Sequence, residues 1–121
     1  MTVRHAGDIP GTDVANGSDT RIQVLISSTE GPNFALRRFT MQPGGGMPRH
    51  TNTVEHEQYV LQGRGRIEIG PETYEVQAGD VVFIPEGVEH SYLNVGQEPF
   101  AFLCVIPNKP DTITIVDQAS C

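Results

Sequence analysis

Three of the four histidines in the chain, His50, His56 and His90, fall between Gly44 and Asn94, while His5 stands apart in a polar N-terminal stretch and reads as solvated. Imidazole is the commonest metal-binding side chain, and its neutral form offers one bare ring nitrogen. Taken singly, each of these histidines reads more readily as a surface or hydrogen-bonded core residue. Their spacing adds polar company. Strand side chains alternate between faces, so Asn52 shares a face with His50, Gln58 with His56, and Tyr92 and Asn94 with His90. Alternation alone leaves open whether His56 or its neighbour Glu57 points inward. Three imidazoles on separate strands would hold one divalent metal with coordination positions left for water or substrate, as a catalytic rather than a structural ion requires. No Ser-His-Asp order, Cys-His nucleophile pattern or phosphate-cradling loop competes with this reading. Gly44-Gly45-Gly46 has no following Lys-Ser/Thr pair and reads as a turn.

The elements that must position these residues are short strands. Val, Ile, Phe and Tyr cluster in brief runs separated by Gly and Pro, of which the chain has 13 and 9, and no run has the period of a long helix. Strands are expected at residues 21–27, 34–42, 49–52, 56–62, 66–69, 74–76, 81–84, 90–95, 100–106 and 112–116. Pro43 and the three glycines are expected to break the second from the third. The 34–42 strand puts Arg37 on one face and Arg38 on the other, and the pattern does not say which face is internal. Closing so many strands into a two-sheet barrel removes most exposed edges. Residues 1–20, rich in Gly, Asp, Thr and Asn, read as a flexible N-terminal arm. Residues 21–107 read as one barrel, and 108–121 as a C-terminal strand and tail.

The chain has 121 residues, 37% of them apolar, which makes one domain with a single core. Fifteen acidic and eight basic residues give a net charge of −7. That balance repels phosphate backbones and anionic lipid, so nucleic acid and membrane are poor partners. No apolar run is long enough to cross a bilayer, and a cytoplasmic protein is the expectation. Cys104 and Cys121 do not make a disulfide framework.

The two Gly-bounded blocks resemble the paired motifs of the cupin superfamily, G(x)5HxH(x)3–4E(x)6G and G(x)5PxG(x)2H(x)3N. The second is met at Gly79, Pro85, Gly87, His90 and Asn94. The first is met at Gly44, His50 and Gly63, with Asn52 in place of its second His and His56 in place of its Glu. The family pattern sets its acidic ligand seven residues before the closing glycine, which favours His56 as the inward residue, while the spacing of four residues after the HxH pair would pick Glu57. The chain also resembles small single-domain cupins with four histidines at the positions of His50, Asn52, His56 and His90. It shares with them the strings Gly31-Pro32-Asn33-Phe34 and Phe102-Leu103-Cys104 ahead of Ile106-Pro107.

The resemblance implies an all-β double-stranded β-helix, or jelly roll, as a single cupin barrel, and a homodimer. It implies a mononuclear site in which His50, His56 and His90 hold one divalent transition metal, Fe, Mn or Cu ahead of Zn or Ni. Exchanging a Glu for neutral His56 leaves the ion more of its positive charge. Gln58 and Asn52 are the catalytic candidates that would tune water or substrate around the ion. Tyr92, Phe102, Cys104 and Arg37 are candidate pocket-lining residues, and Arg37 or Arg38 could take a substrate carboxylate if one reaches the barrel mouth.

The implied function is a metal-dependent oxidoreductase, dioxygenase-like, on a small organic molecule. The alternatives are a non-redox isomerase, lyase or bond-forming enzyme using the metal as Lewis acid, and a non-catalytic small-molecule-binding module.

Overall fold

The computed structural model describes residues 1–116; Cys121 lies outside them, and Cys104 is a buried free thiol. After one 3-10 turn at Ala6–Asp8, the described chain is built from strands: β1 (Thr12–Asp13), β2 (Ser18–Ile26), β3 (Phe34–Thr51), β4 (His56–Gln62), β5 (Arg64–Ile69), β6 (Glu72–Gln77), β7 (Val81–Ile84), β8 (His90–Asn94), β9 (Phe100–Pro107) and β10 (Thr114–Ile115). All pairings are antiparallel, in the order β6-β5-β8-β3-β9-β4-β7, with β2 and β10 added on β3 and β1 on β2. This curled sheet is the jelly roll that the motif resemblance implies.

The main departure from expectation is β3. Pro43 and the glycines do not interrupt it, and the strand runs 18 residues, changing pairing partners along its length. Its first half pairs with β2 and β9, from Phe34↔Pro107 to Met41↔Phe100; its second half pairs with β8 and β10, including Met47↔Tyr92 and His50↔His90. Gly44 takes φ +80, a bend that costs an L-residue strain. Gly46 passes so close to β8 that a Cβ would lie 2.1 Å from the Tyr92 carbonyl oxygen. The glycines are therefore a corner, where absent side chains let one strand bend and pass from one set of partners to the next.

The corner decides which faces are internal. On β3 the inward row is Ala35, Arg37, Phe39 and Met41, which leaves Arg38 on the other face. On β4 it is His56, Gln58 and Val60, with Glu57 and Tyr59 outside. The core is a cluster of Phe39, Met41, Val60, Ile67, Ile84, Tyr92, Phe100, Phe102 and Cys104. In it the Phe102 ring lies between Phe39 and Tyr92, with centroids 5.3 and 5.2 Å away. Each large side chain so buried contributes roughly 1.5–3 kcal/mol.

Residues 1–20 are tied to the barrel. β1 pairs at Thr12↔Ile22 and Asp13↔Arg21, the Gln23 amide donates to the Ala6 and Ile9 carbonyls, and Arg4 donates to the Leu25 carbonyl while pairing with Glu30. These contacts blunt the free edge of β2. Among the described residues, no helix is long and apolar enough to cross a membrane.

Candidate metal centre

One end of the barrel interior holds a cavity of about 240 Å³ lined by His50, Asn52, His56, Gln58, His90, Tyr92 and Arg37, with Val14, Ile22, Phe39, Met47 and Ile113 as its apolar wall. The three histidines arrive from β3, β4 and the start of β8, and all are buried. His50 and His90 are register partners with ring centroids 4.2 Å apart, and His56 stands 5.7 Å from His90. The turn before His90 is anchored to the first motif by a bond from the Gly87 N–H to the Asn52 carbonyl, 2.7 Å. Asn94 serves the scaffold, its amide donating to the Met41 and Glu98 carbonyls.

All three rings make the same local bond. Nδ1 of His50, His56 and His90 meets the carbonyl two residues earlier, of Pro48, Val54 and Val88, at 2.7, 3.1 and 2.9 Å. A carbonyl only accepts, so the proton must sit on Nδ1. Burial, and then the nearby Arg37 charge, holds the His56 pKa down to about 4. Burial likewise holds that of His90 down to about 4. Near neutral pH both are uncharged, with the lone pair on Nε2, the tautomer a metal ligand needs.

The unpartnered atoms match that chemistry. His90 Nε2, Asn52 Oδ1 and Gln58 Oε1 are buried with no hydrogen-bond partner, and all three are lone-pair acceptors in one cavity. An unsatisfied buried acceptor costs roughly 1–3 kcal/mol, and a cation or its bound water would satisfy it. The orientation of Asn52 is set by Asp111, whose carboxylate accepts from Asn52 Nδ2 at 3.1 Å and from the Thr53 N–H at 3.0 Å. The amide nitrogen must face Asp111, so the oxygen is left for the cavity. As they stand, no three His, Cys, Asp or Glu side chains among the described residues close on one point as a metal-holding group. The donor set fits a metal by tautomer and lone-pair count, with imidazole nitrogen and amide oxygen as its atoms.

The remaining candidates separate. Gln58 and Tyr92 line the cavity, and Gln58 Nε2 donates to the Tyr92 hydroxyl at 2.7 Å. Arg37 also reaches it. Phe102 and Cys104, read from the sequence as pocket-lining, do not: both are fully buried behind the wall, Phe102 in the aromatic stack and Cys104 under Arg37 and Gln58. Sequence reasoning missed Asp111 and the apolar wall. Asp111 reaches Asn52 across 59 positions, and no local pattern announces it.

Fold and site together define a single-domain jelly roll with an inward, histidine-lined cavity. The Cupin domain family model matches residues 37–106, and the chain belongs to this family. Among solved structures it is similar to the polyketide cyclase RemF of Streptomyces resistomycificus, at 29% identity and TM-score 0.89 over 99% of this chain and 88% of that one. Among curated sequences it is 32% identical over 100 residues to 1-methylthio-D-xylulose 5-phosphate methylsulfurylase of Rhodospirillum rubrum, covering 80% of this chain and 64% of that protein. It is also 32% identical over 104 residues to mannose-1-phosphate guanylyltransferase of Klebsiella pneumoniae, covering 81% of this chain and 21% of that protein. The chain thus spans less than two thirds of either curated relative, and these relatives differ in activity.

Proposed function

We propose that this cupin is a metal-dependent enzyme that activates a carbonyl oxygen of a small oxygenated organic molecule for bond formation, the chemistry of a cyclase. The observation that carries the reading is the trio of buried, unpartnered acceptors, His90 Nε2, Asn52 Oδ1 and Gln58 Oε1, beside three histidines whose Nδ1 protons are all committed elsewhere. His50, His56 and His90 would hold the ion, with Asn52 Oδ1 as a weaker oxygen donor. When bound there, a divalent ion supplies a Lewis acid, and a ligand set without a carboxylate leaves it more of its charge. The likeness to a polyketide cyclase over nearly the whole chain favours bond formation over oxidation.

The protein's own groups do the rest. The Tyr92 hydroxyl accepts from Gln58, and burial raises its pKa, so it stays protonated and free to donate to an oxygen that gains negative charge. Gln58 Oε1 is left to accept from a substrate hydroxyl. Val14, Ile22, Phe39, Met47 and Ile113 hold the substrate body and exclude water.

The metal-dependent oxygenase is the second reading, since neutral imidazoles also suit Fe and Cu. Metal analysis of unsupplemented protein separates the two. Predominant Zn or Ni supports the Lewis-acid reading, predominant Fe, Mn or Cu with oxygen uptake on phenolic or diketone substrates supports the oxygenase, and no bound metal under either regime defeats both. A homodimer in the cytoplasm belongs to the same proposal. Because the β2 edge is covered by β1 and Arg4, pairing would use the exposed outer face at Tyr59, Val81 and Phe83, and light scattering checks it.

A further inference from the structure

Arg37 is an inward residue of a barrel interior, which is an unusual place for a permanent cation. It sits between Ala35 and Phe39 on β3 and lines the cavity. Its guanidinium carbon lies over the Phe39 ring, 5.1 Å from the ring centre, a cation–π contact. Nη2 donates to the Cys104 sulfur at 3.3 Å, a weak acceptor, and Nε is buried with no partner. Arg4, Arg21, Arg49 and Arg66 each have a carboxylate within 4 Å, whereas Arg37, like Arg38 and Arg64, has none among the described residues, and of these three Arg37 is the one that lines the cavity. This holds in a chain with 15 acidic residues against 8 basic ones. Asp13 is at the mouth of the cavity and faces Arg21, and Asp111 holds Asn52 and Thr53.

The cavity is therefore polarised. Among the histidines the unsatisfied atoms are acceptors, which call for a cation; at Arg37 the unsatisfied atom is a donor on a charged group, which calls for an oxyanion. Cys104 beneath it stays a neutral thiol, with its pKa raised chiefly by burial, and gives Arg37 no counter-charge. Arg37 and Gln58 both donate to Cys104 Sγ, at 3.3 and 3.7 Å, so donor and acceptors stand close together in one cavity.

We infer that Arg37 is the residue that selects the substrate, and that the substrate is a small organic carboxylate whose anionic end lies on Arg37 while its apolar body reaches toward the three histidines. This rests on the proposed function only for what happens at the histidine end. Recognition at Arg37 does not need the metal. A planar guanidinium favours carboxylate over the isosteric neutral amide, because the amide brings no charge and turns an NH2 toward a donor.

Calorimetric titration of the full chain with benzoate and with benzamide, in chelator-treated and in metal-loaded protein, tests this. Benzoate is expected to bind at least about tenfold more tightly than benzamide in both forms, Arg37→Met to abolish the preference in both, and Arg37→Lys to retain part of it. Should Arg37→Met not fold, the wild-type protein gives the second readout. The Nε–H resonance of Arg37 should shift on saturation with benzoate and stay in place with benzamide. Equal affinity for the two probes, a preference that survives Arg37→Met, or an unmoved Arg37 resonance would overturn the assignment. A preference that appears only with metal and ignores Arg37→Met would give the anion to the histidine end instead. Absence of bound metal with the Arg37 preference intact would sink the metal proposal alone.

Discussion

At the scale of single residues, the site turns on which atoms are left without partners. His56 and His90 are neutral because burial disfavours their cations, and their Nδ1 protons are spent on carbonyls of their own chain. Alanine at His50, His56 or His90 is therefore expected to abolish stoichiometric metal uptake, measured by plasma mass spectrometry. Glu57→Ala should bind metal like the parent, because Glu57 lies on the outer face of β4. Asp111 acts at one remove. It holds the Asn52 nitrogen so that the oxygen faces the cavity, and Asp111→Ala frees the amide to turn. A chelator competition should then show metal binding weakened about 10- to 100-fold, the usual effect of losing a group that orients a ligand. Undiminished affinity would mean that Asn52 contributes nothing to the ion.

At the scale of elements, the site depends on one strand serving two sets of partners. β3 carries Arg37 in its first half and His50 in its second, with the glycine corner between them, and both line the cavity. Gly46→Ala places a methyl group against the Tyr92 carbonyl, a backbone contact that no rotamer relieves. The variant is expected to lose about 1–3 kcal/mol or more and to part His50 from His90, seen as a lower melting temperature together with weakened metal uptake. Gly44→Ala meets no neighbour within 4 Å and suffers only the strain of φ +80, about 1 kcal/mol. Its metal uptake should be normal. If both variants behave alike, the close approach of β3 to β8 does not matter to the site.

At the scale of the whole molecule, the buried histidines tie stability to pH. The folded chain holds His56 and His90 at a pKa of about 4, below the value of 6.5 for an exposed histidine, so the unfolded chain binds protons that the folded chain does not. Metal-free protein is then at full stability above about pH 6.5 and weakens as pH falls toward 4, by up to roughly 3 kcal/mol for each histidine. Denaturant melts of chelated protein across that window check this. Protons and metal compete for the same Nε2 atoms, so loaded protein should resist acid further and then release its ion within the same range. A flat profile from pH 7 to 4 would show that these rings do not carry the burial penalty.

Much of this was legible before any coordinates. Gly and Pro between short β-branched and aromatic runs specify strands and turns locally, and alternation places Asn52 with His50 and Gln58 with His56, because the strand period is two whatever the strand packs against. The motif spacings marked the three histidines and the family. The tertiary structure alone decided matters that join residues distant along the chain. These are the passage of β3 through its glycines, the inward turn of Arg37 over Arg38, the withdrawal of Phe102 and Cys104 behind the wall, and the hold of Asp111 on Asn52. The physical reason is that a local pattern states which side chains share a face, whereas burial and unmet hydrogen bonds depend on what the opposite strand brings to that face.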